Sequence, residues 1–213
     1  MNQIEESVFH NPEKYGKSWH GVSFDKIGTY SDKLNAELKT IADECLDLLK
    51  VYLIGSDFEK IKEECAANKN KGEEGRELIE KELFYMKMAG DYSRYKAEIF
   101  KDDESIKVQA KEFYEKSQQI AEHLETTNPV RLGLALNFSV FYYEIIMDSE
   151  GACLMAKKSF DSAINDMGDL SESQNEYRDS TLILQLLRDN LSLWTSANQE
   201  NEEDWGRNGQ DDE

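Results

Sequence analysis

The most apolar part of the chain runs over residues 132–146, where hydrophobic side chains occupy nearly every face of a helix. A helix that is apolar all round is typical of one surrounded by neighbouring elements. One stripe departs from this rule, because Gly133, Asn137, Val140 and Glu144 recur at helical spacing. A buried amide without a partner costs about 1–3 kcal/mol. The stripe is therefore either satisfied inside the core or lines a groove that a ligand fills.

Five further helices are predicted from apolar positions that recur every three or four residues. They cover approximately 31–54, 77–100, 104–125, 150–167 and 176–197. Ser31 is a candidate N-cap for the first of them. Pro129 suits the first turn of the helix that contains residues 132–146. The sequence has no run of short alternating strands, so we predict an all-α fold.

Composition predicts three less regular segments around these helices. Residues 1–29 contain one proline and three glycines, and we expect them to form an irregular N-terminal segment. We expect a helical domain over 30–198, interrupted by a charged insertion loop at 55–76, with a short helix over 58–66 as the alternative. Residues 199–213 hold seven acids and one arginine, which predicts a disordered acidic tail.

The charge balance excludes some classes of partner. The chain has 44 acidic and 25 basic residues, a formal charge of −19. Nucleic acid and anionic membranes repel such a surface, so neither is an expected partner. The three cysteines follow no pairing or metal pattern, which favours a reducing compartment. With neither a signal peptide nor an apolar run long enough to span a bilayer, we expect a cytoplasmic protein.

No motif in the sequence argues for catalysis. Gly16-Lys17-Ser18 matches the end of a phosphate-binding loop, but that motif needs a glycine where Asn11 stands. The three histidines lie far apart, and none has a partner at metal-ligand spacing. We therefore predict no enzyme activity, no metal site and no cofactor.

Charged residues of alternating sign form a ladder on the predicted helix 77–100. Lys87, Asp91, Arg94 and Glu98 lie at i, i+4, i+7 and i+11. The simplest interpretation is a solvated face of salt bridges. The alternative is a phosphate site, because Arg94 stands next to Tyr95 in the sequence. A guanidinium fork and a phenolic hydroxyl can bind a phosphate dianion together.

A second interrupted apolar row lies on the last predicted helix. Leu182, Leu186, Asn190 and Leu193 share one stripe, with Trp194 at its edge. Asn137 and Asn190 could therefore hydrogen-bond the main chain of an extended peptide from two sides. Alternatively, each amide caps a carbonyl group in the core.

Three long segments closely resemble the 14-3-3 family. The first is Phe-Tyr-Met-Lys-Met-Ala-Gly-Asp-Tyr-Ser-Arg-Tyr from residue 84. The second is Asn-Pro-Val-Arg-Leu-Gly-Leu-Ala-Leu-Asn-Phe-Ser-Val-Phe-Tyr-Tyr-Glu-Ile from residue 128. The third is Asp-Ser-Thr-Leu-Ile-Leu-Gln-Leu-Leu-Arg-Asp-Asn-Leu-Ser-Leu-Trp from residue 179. Residues 30–54 also resemble the family's fourth helix, so the resemblance covers about 30–198.

The resemblance implies an antiparallel array of helices that forms a cup-shaped groove for phosphoserine or phosphothreonine peptides. Arg94 and Tyr95 match the family's phosphate-binding pair, and Lys87 matches its groove lysine. Asn137 and Asn190 match the amides that hold the peptide main chain. The apolar wall is matched by Leu136, Val140, Leu186 and Leu193, and the residues that flank it by Glu144 and Trp194.

The chain departs from the family at its beginning. Members usually have nine helices, and the first two and most of the third lack a counterpart here. The third helix of the family supplies a lysine and an arginine to the phosphate pocket. An ungapped alignment on Trp19 puts Phe9 and Gly16 at those two positions, although Lys14 or Lys17 could substitute after a shift.

These departures shape the expected function. We expect a phosphopeptide-binding adaptor with a partly degraded phosphate pocket and weakened affinity for phosphorylated clients. The alternative is a phospho-independent helical scaffold, or a heterodimeric partner of a normal 14-3-3 protein. The family dimerises through its first four helices, so we expect a monomer or an atypical dimer.

Overall fold

Seven α-helices account for most of the part of the chain that the structure describes. The computed structural model describes residues 18–19, 22–55, 57–167 and 174–208. The helices are α1 (Phe24–Leu48), α2 (Phe58–Asn68), α3 (Gly72–Ile99), α4 (Glu104–Ala121), α5 (Pro129–Phe141), α6 (Ser149–Asp166) and α7 (Gln174–Asn208). The predicted all-α class is confirmed.

Three short elements accompany these helices. Two-residue strands, β1 (Ser18–Trp19) and β2 (Val22–Ser23), pair antiparallel with Trp19 opposite Val22. π-helical turns extend α1 over Leu49–Ile54 and α5 over Tyr142–Ile146. The continuous helix predicted over 132–146 therefore changes its winding at Tyr142. It ends at Met147, whose left-handed backbone has φ of 62°.

The start of α1 differs from the prediction. We expected an irregular segment up to residue 29 and an N-cap at Ser31, but the helix begins at Phe24 and includes both Gly28 and Ser31. A single glycine inside a helix costs only about 1 kcal/mol, which a helix of 25 residues can absorb. Residues 1–17 and 20–21 of that segment lie outside the described part of the chain.

The insertion at 55–76 is mostly helical, so the loop prediction was wrong and the short-helix alternative was closer. Helix α2 extends over Phe58–Asn68, and the Asp57 side chain caps it by accepting a hydrogen bond from the Lys60 backbone N–H at 3.2 Å. Cys65 is fully buried and Ile61 packs against the core, so a charged sequence still presents one apolar face. Gly72, at φ of +69°, allows the turn into α3.

The structure continues α7 to Asn208, into the segment from residue 199 for which we expected a disordered acidic tail. Glutamate and glutamine are good helix formers, and an existing helix adds one hydrogen bond for each residue it gains. Residues 209–213 lie outside the described part of the chain.

The chain divides into two compact units, residues 1–44 and 45–213. The second unit has two hydrophobic clusters. One is built around α3 and α4 and includes Leu83 and Tyr114, and the other joins α6 to α7 and includes Leu187. Helix α5 supplies Phe138 to the first cluster and Leu132 to the second. This double role explains why residues 132–146 are apolar on nearly every face.

Hydrogen bonds at the start of α5 fix it against α3 and α7. The Asn128 carbonyl oxygen of the side chain accepts from the Val130 backbone N–H at 3.0 Å, which caps α5. The Asn128 amide donates to Glu80 on α3 at 2.5 Å. The buried Ser180 hydroxyl on α7 donates to the Thr127 carbonyl at 2.6 Å. Three helices are therefore tied together at one end of the candidate groove.

Candidate functional site

The charged ladder on α3 consists of two ion pairs. Lys87 Nζ lies 2.7 Å from Asp91 Oδ2, and the Arg94 guanidinium pairs with Glu98. The predicted i, i+4 salt bridges are therefore present, but this face is not solvated. The Lys87, Asp91 and Arg94 side chains are only 17%, 12% and 11% exposed, whereas Glu98 is 41% exposed. Charges held this far from water need specific partners.

Asp91 is the centre of a network that joins three helices. Its Oδ1 accepts from the Tyr114 hydroxyl of α4 at 2.7 Å and from the Asn137 amide of α5 at 2.9 Å. Its Oδ2 accepts from Lys87 of α3. The Asn137 amide therefore bonds a carboxylate, not a core carbonyl, and this partner was not predicted. Three donors on a single carboxylate hold Lys87 and Asn137 in fixed positions.

Tyr114 of α4 links Asp91 to Arg94 through its hydroxyl group. It is fully buried, and its hydroxyl also accepts from Arg94 Nε at 3.3 Å. Burial and the nearby Asp91 carboxylate raise the pKa of Tyr114 far above its usual range, so the phenol stays a neutral donor. A Cβ at Gly90 would lie 2.9 Å from the Tyr114 ring. Only glycine allows α3 to approach α4 this closely.

The largely buried Arg94 guanidinium contacts the exposed ring of Tyr95. The Arg94 guanidinium lies over the Tyr95 ring, 4.5 Å from its centroid, and Tyr95 is 44% exposed. Burial opposes the charge on Arg94, but Tyr114, Glu98 and Tyr95 outweigh it and raise the pKa of Arg94 overall. The guanidinium is therefore a permanent cation that is oriented by Tyr114 and stacked on Tyr95.

Among the described side chains of this region, acidic groups outnumber basic ones. The pKa of Glu98 is raised overall, because burial and the nearby Glu144 outweigh the lowering by Arg94. Glu144 lies in the π-helical turn after α5 and is exposed. Two cations, Lys87 and Arg94, thus share the region with the carboxylates of Asp91, Glu98 and Glu144. An anionic ligand must compete with these internal carboxylates.

The predicted stripe of α5 faces this network at its N-terminal end. A Cβ at Gly133 would lie 3.7 Å from Lys87 Cε, which places Gly133 beside the lysine stem. One turn later comes Asn137, bonded to Asp91. Leu136 and Val140 are half-buried and pack against the cluster that joins α6 to α7. The stripe therefore connects the charged network to an apolar surface.

The predicted row on α7 is solvent-exposed along its leucines. Leu182, Leu186 and Leu193 are 59%, 45% and 66% exposed. Asn190 is half-buried, and its amide has no hydrogen-bond partner within the described residues. Trp194, predicted to flank the wall, is only 4% exposed and stacks on Tyr143 with ring centroids 4.7 Å apart. Trp194 therefore belongs to the buried cluster that joins α6 to α7 and not to the exposed row.

The predicted site residues therefore fall into two groups, one joined by hydrogen bonds and stacking and one on α7. Hydrogen bonds and stacking join Lys87, Arg94, Tyr95 and Asn137 through Asp91 and Tyr114. The residues on α7 are not hydrogen-bonded to this network in the described part of the chain.

Comparison with known proteins shows which family the chain is similar to. The sequence model of the family described as "14-3-3 protein" matches residues 5–195. The chain belongs to the 14-3-3 family. It is 46% identical over 167 residues to the 14-3-3 protein homolog of Encephalitozoon cuniculi, covering 78% of this chain and 58% of that protein. It is 43% identical over 183 residues to 14-3-3 protein eta of Bos taurus, covering 84% of this chain and 66% of that protein. This 14-3-3 chain therefore spans about three fifths to two thirds of the length of these relatives.

The described residues of this 14-3-3 chain include no cluster of histidine, cysteine and acidic side chains that could hold a metal ion. Among them, no helix is both long and apolar enough to cross a bilayer.

Three residues of the Asp91 network were not singled out as candidate functional residues by the sequence analysis. Asp91 was recognised only as a rung of the ladder, and Gly90 and Tyr114 were not singled out. Burial of Tyr114 was suggested by its place on the apolar stripe of α4, with Ala110 one turn and Ile106 two turns before it. Its hydrogen bonds were not, because both partners lie on another helix.

Proposed function

We propose that this chain is a phosphoserine- or phosphothreonine-peptide-binding adaptor and that Arg94, Tyr95 and Lys87 contact the phosphate. The position of Arg94 carries the proposal, because Tyr114 and Tyr95 hold its guanidinium in one orientation at the edge of the groove. A pre-oriented guanidinium fork binds a phosphate dianion through two parallel charge-assisted hydrogen bonds. The coarse role as a phosphopeptide adaptor is also the one to which family membership points.

The peptide chain would lie along α5 and α7. In this proposal Asn137 and Asn190 bond its main chain, and the amide of the half-buried Asn190 has no hydrogen-bond partner among the described residues. The apolar wall is formed by Leu136, Val140, Leu186 and Leu193, with Glu144 and Trp194 at its borders. The exposure of Leu186 and Leu193 supports this assignment, since exposed leucines in a row favour an apolar ligand.

We further propose that phosphate binding is weak. Both cations are already paired, so a phosphate must displace Glu98 from Arg94 and share Lys87 with Asp91. Phe9 and Gly16, aligned with the family's two other basic positions, lie outside the described residues, as do Lys14 and Lys17. A charge-assisted hydrogen bond contributes about 1.5–3 kcal/mol. Losing two of them weakens binding roughly a hundredfold or more.

The alternative function is a scaffold that binds unphosphorylated peptides through the apolar wall. The exposed leucines of α7 favour it, because a row of exposed leucines suits an apolar ligand. Association with another 14-3-3 chain belongs to the same alternative, and a monomer or atypical dimer stays our prediction. Sedimentation velocity of the 24.6 kDa chain measures its oligomeric state, and a mixture with a family member measures the association between the two chains. A cytoplasmic location and the lack of enzyme activity also stay predictions.

Calorimetric titration tests the phosphate proposal. The ligands are a peptide of the type Arg-Ser-x-pSer-x-Pro and its unphosphorylated twin. The proteins are the parent chain, Arg94→Ala, and Arg188→Ala as the control. Arg188 is an exposed arginine on α7 that pairs, among the described residues, with its neighbour Asp189.

We expect only the phosphopeptide to bind, Arg94→Ala to abolish binding, and Arg188→Ala to leave it unchanged. Equal binding of both peptides would refute phosphate recognition and support the scaffold. An unchanged affinity in Arg94→Ala would refute the assigned contact.

A further inference from the structure

A cavity of about 150 Å³ lies between α4, α5 and α6, away from the groove. None of the residues proposed to contact phosphate or peptide lines it. Its apolar lining includes Leu134 and Phe138 of α5 and Met155 of α6. Its polar lining includes Arg131, Lys158 and Ser159. The cavity therefore combines an apolar floor with two cations, an arrangement that suits a small organic anion.

Arg131 is the chemically distinctive residue of this cavity. It is half-buried, and its Nη1 donates to the Leu124 carbonyl at 2.5 Å. Within the described residues its guanidinium makes no salt bridge. Burial lowers the pKa of Arg131, and the more distant Glu122, Glu125 and Asp166 only partly offset this. A guanidinium has five N–H donors, so most of those on Arg131 have no partner among the described residues.

The neighbouring side chains add to this binding capacity. Lys158 is exposed and has no ion pair with any described residue. The hydroxyls of Ser159 and Ser162 also lack partners within that part of the chain. Glu122 also lines the cavity, and Glu122, Glu125 and Asp166 all act electrostatically on Arg131. These carboxylates repel a phosphate dianion more strongly than a singly charged ligand, so a monoanion fits the cavity better.

We propose that this cavity binds a small monocarboxylate with a compact apolar body. The carboxylate would bond Arg131 in the bidentate geometry that guanidinium favours, with Lys158 beside it. The apolar body would contact Phe138 and Met155. The volume sets its size, because a cavity of about 150 Å³ holds a benzene ring in other proteins. A ring of this size bearing one carboxylate is the matching ligand class.

Benzoate is the probe, and protein labelled with ¹³C-methyl methionine provides the readout. Met155 lines the cavity, and the other methionines of the six in the chain are internal controls. We expect benzoate to shift the Met155 signal with a Kd of roughly 1–10 mM, as for a ligand of nine heavy atoms. Benzamidine has the same shape and the opposite charge, and inorganic phosphate lacks the ring. Neither should shift the Met155 signal.

Two adjacent lysines of α6 provide a matched pair of variants. Lys158→Gln should weaken benzoate binding about two- to fivefold, the usual range for a partly exposed charge pair. Lys157→Gln removes the same charge from an exposed neighbour that does not line the cavity, so it should bind as the parent does. Ala135→Leu fills the cavity and should abolish the shift.

Circular dichroism and the unfolding midpoint establish that each variant is folded. If Ala135→Leu does not fold, the lysine pair and the benzamidine comparison still decide. The proposal is overturned if benzoate leaves Met155 unmoved or if benzamidine binds equally well. It is also overturned if the two lysine variants bind benzoate alike, or if a folded Ala135→Leu retains binding.

Discussion

Replacing Tyr114 with phenylalanine tests the network around Asp91 most directly. The change removes one oxygen atom and leaves the ring in place, so it creates no cavity. Two hydrogen bonds are lost, the donation to Asp91 at 2.7 Å and the acceptance from Arg94 Nε at 3.3 Å. Asp91 keeps its bonds to Lys87 and Asn137 and is not left unpaired. Arg94 Nε loses its hydrogen bond to α4.

The expected cost follows from these contacts. A hydrogen bond to a charged group contributes about 1.5–3 kcal/mol. The long bond from Arg94 adds little, and the two remaining donors on Asp91 keep the loss near the lower end of that range. We expect the free energy of unfolding to fall by about 2 kcal/mol. For a domain of this size, that lowers Tm by roughly 4–8 °C.

Urea denaturation followed by circular dichroism at 222 nm measures this loss. The control is Tyr143→Phe, because the Tyr143 hydroxyl has no hydrogen bond to any described residue and its ring stacks on Trp194. The control should lie within about 0.5 kcal/mol of the parent, with an unchanged m-value in both variants. If Tyr114→Phe is no less stable than Tyr143→Phe, the Asp91 network does not stabilise the fold as we argue.

Three further predictions concern stability, affinity and pH. Gly90→Ala should destabilise the fold by about 1–2 kcal/mol because its Cβ clashes with the Tyr114 ring, whereas Gly133→Ala should stabilise it by about 0.5 kcal/mol because its Cβ fits. Thermal unfolding should therefore show a lower Tm for the first variant and a higher Tm for the second. Glu98→Gln frees Arg94 from its carboxylate and should tighten phosphopeptide binding about two- to fivefold in calorimetry, and an unchanged or lower affinity contradicts this competition. Burial, together with nearby carboxylates, raises the pKa of Cys65 from 9.0 to about 11. Above pH 9 the unfolded chain loses the thiol proton that the folded chain keeps, so stability should fall as pH rises towards 11, and a Cys65→Ala variant with the same pH slope would exclude this cause.

Most of the fold could be predicted because the helices are long and strongly periodic. The pattern placed α3 to α6 within a few residues of their positions, and Pro129 does begin α5. Helix α2 was harder, because its few apolar residues, including Ile61 and Cys65, are diluted by charges. Only packing against α3 and α4 reveals which face they form. The π-helical winding after Phe141 left no trace in the apolar pattern.

The ion pairs of the candidate site could be predicted from the sequence, whereas the hydrogen bonds between its helices could not. Spacing alone gave the two ion pairs of α3, since i, i+4 neighbours meet on any helix. It could not give the Tyr114 and Asn137 contacts with Asp91, because these join helices distant in sequence. The burial of Trp194 could not be predicted for the same reason, because its stacking partner Tyr143 lies on another element. Contacts between helices depend on crossing geometry, which periodicity does not encode.

The position of Tyr114 has a consequence for how mutations in this protein should be interpreted. Helix α4 contributes no residue to the proposed peptide contacts, yet its tyrosine bonds both Asp91 and Arg94. A library screened for loss of peptide binding should therefore return α4 variants alongside groove variants. Those α4 variants would shift Arg94 without touching any ligand. A binding map drawn from such a screen would extend one layer deeper than the surface that contacts the peptide.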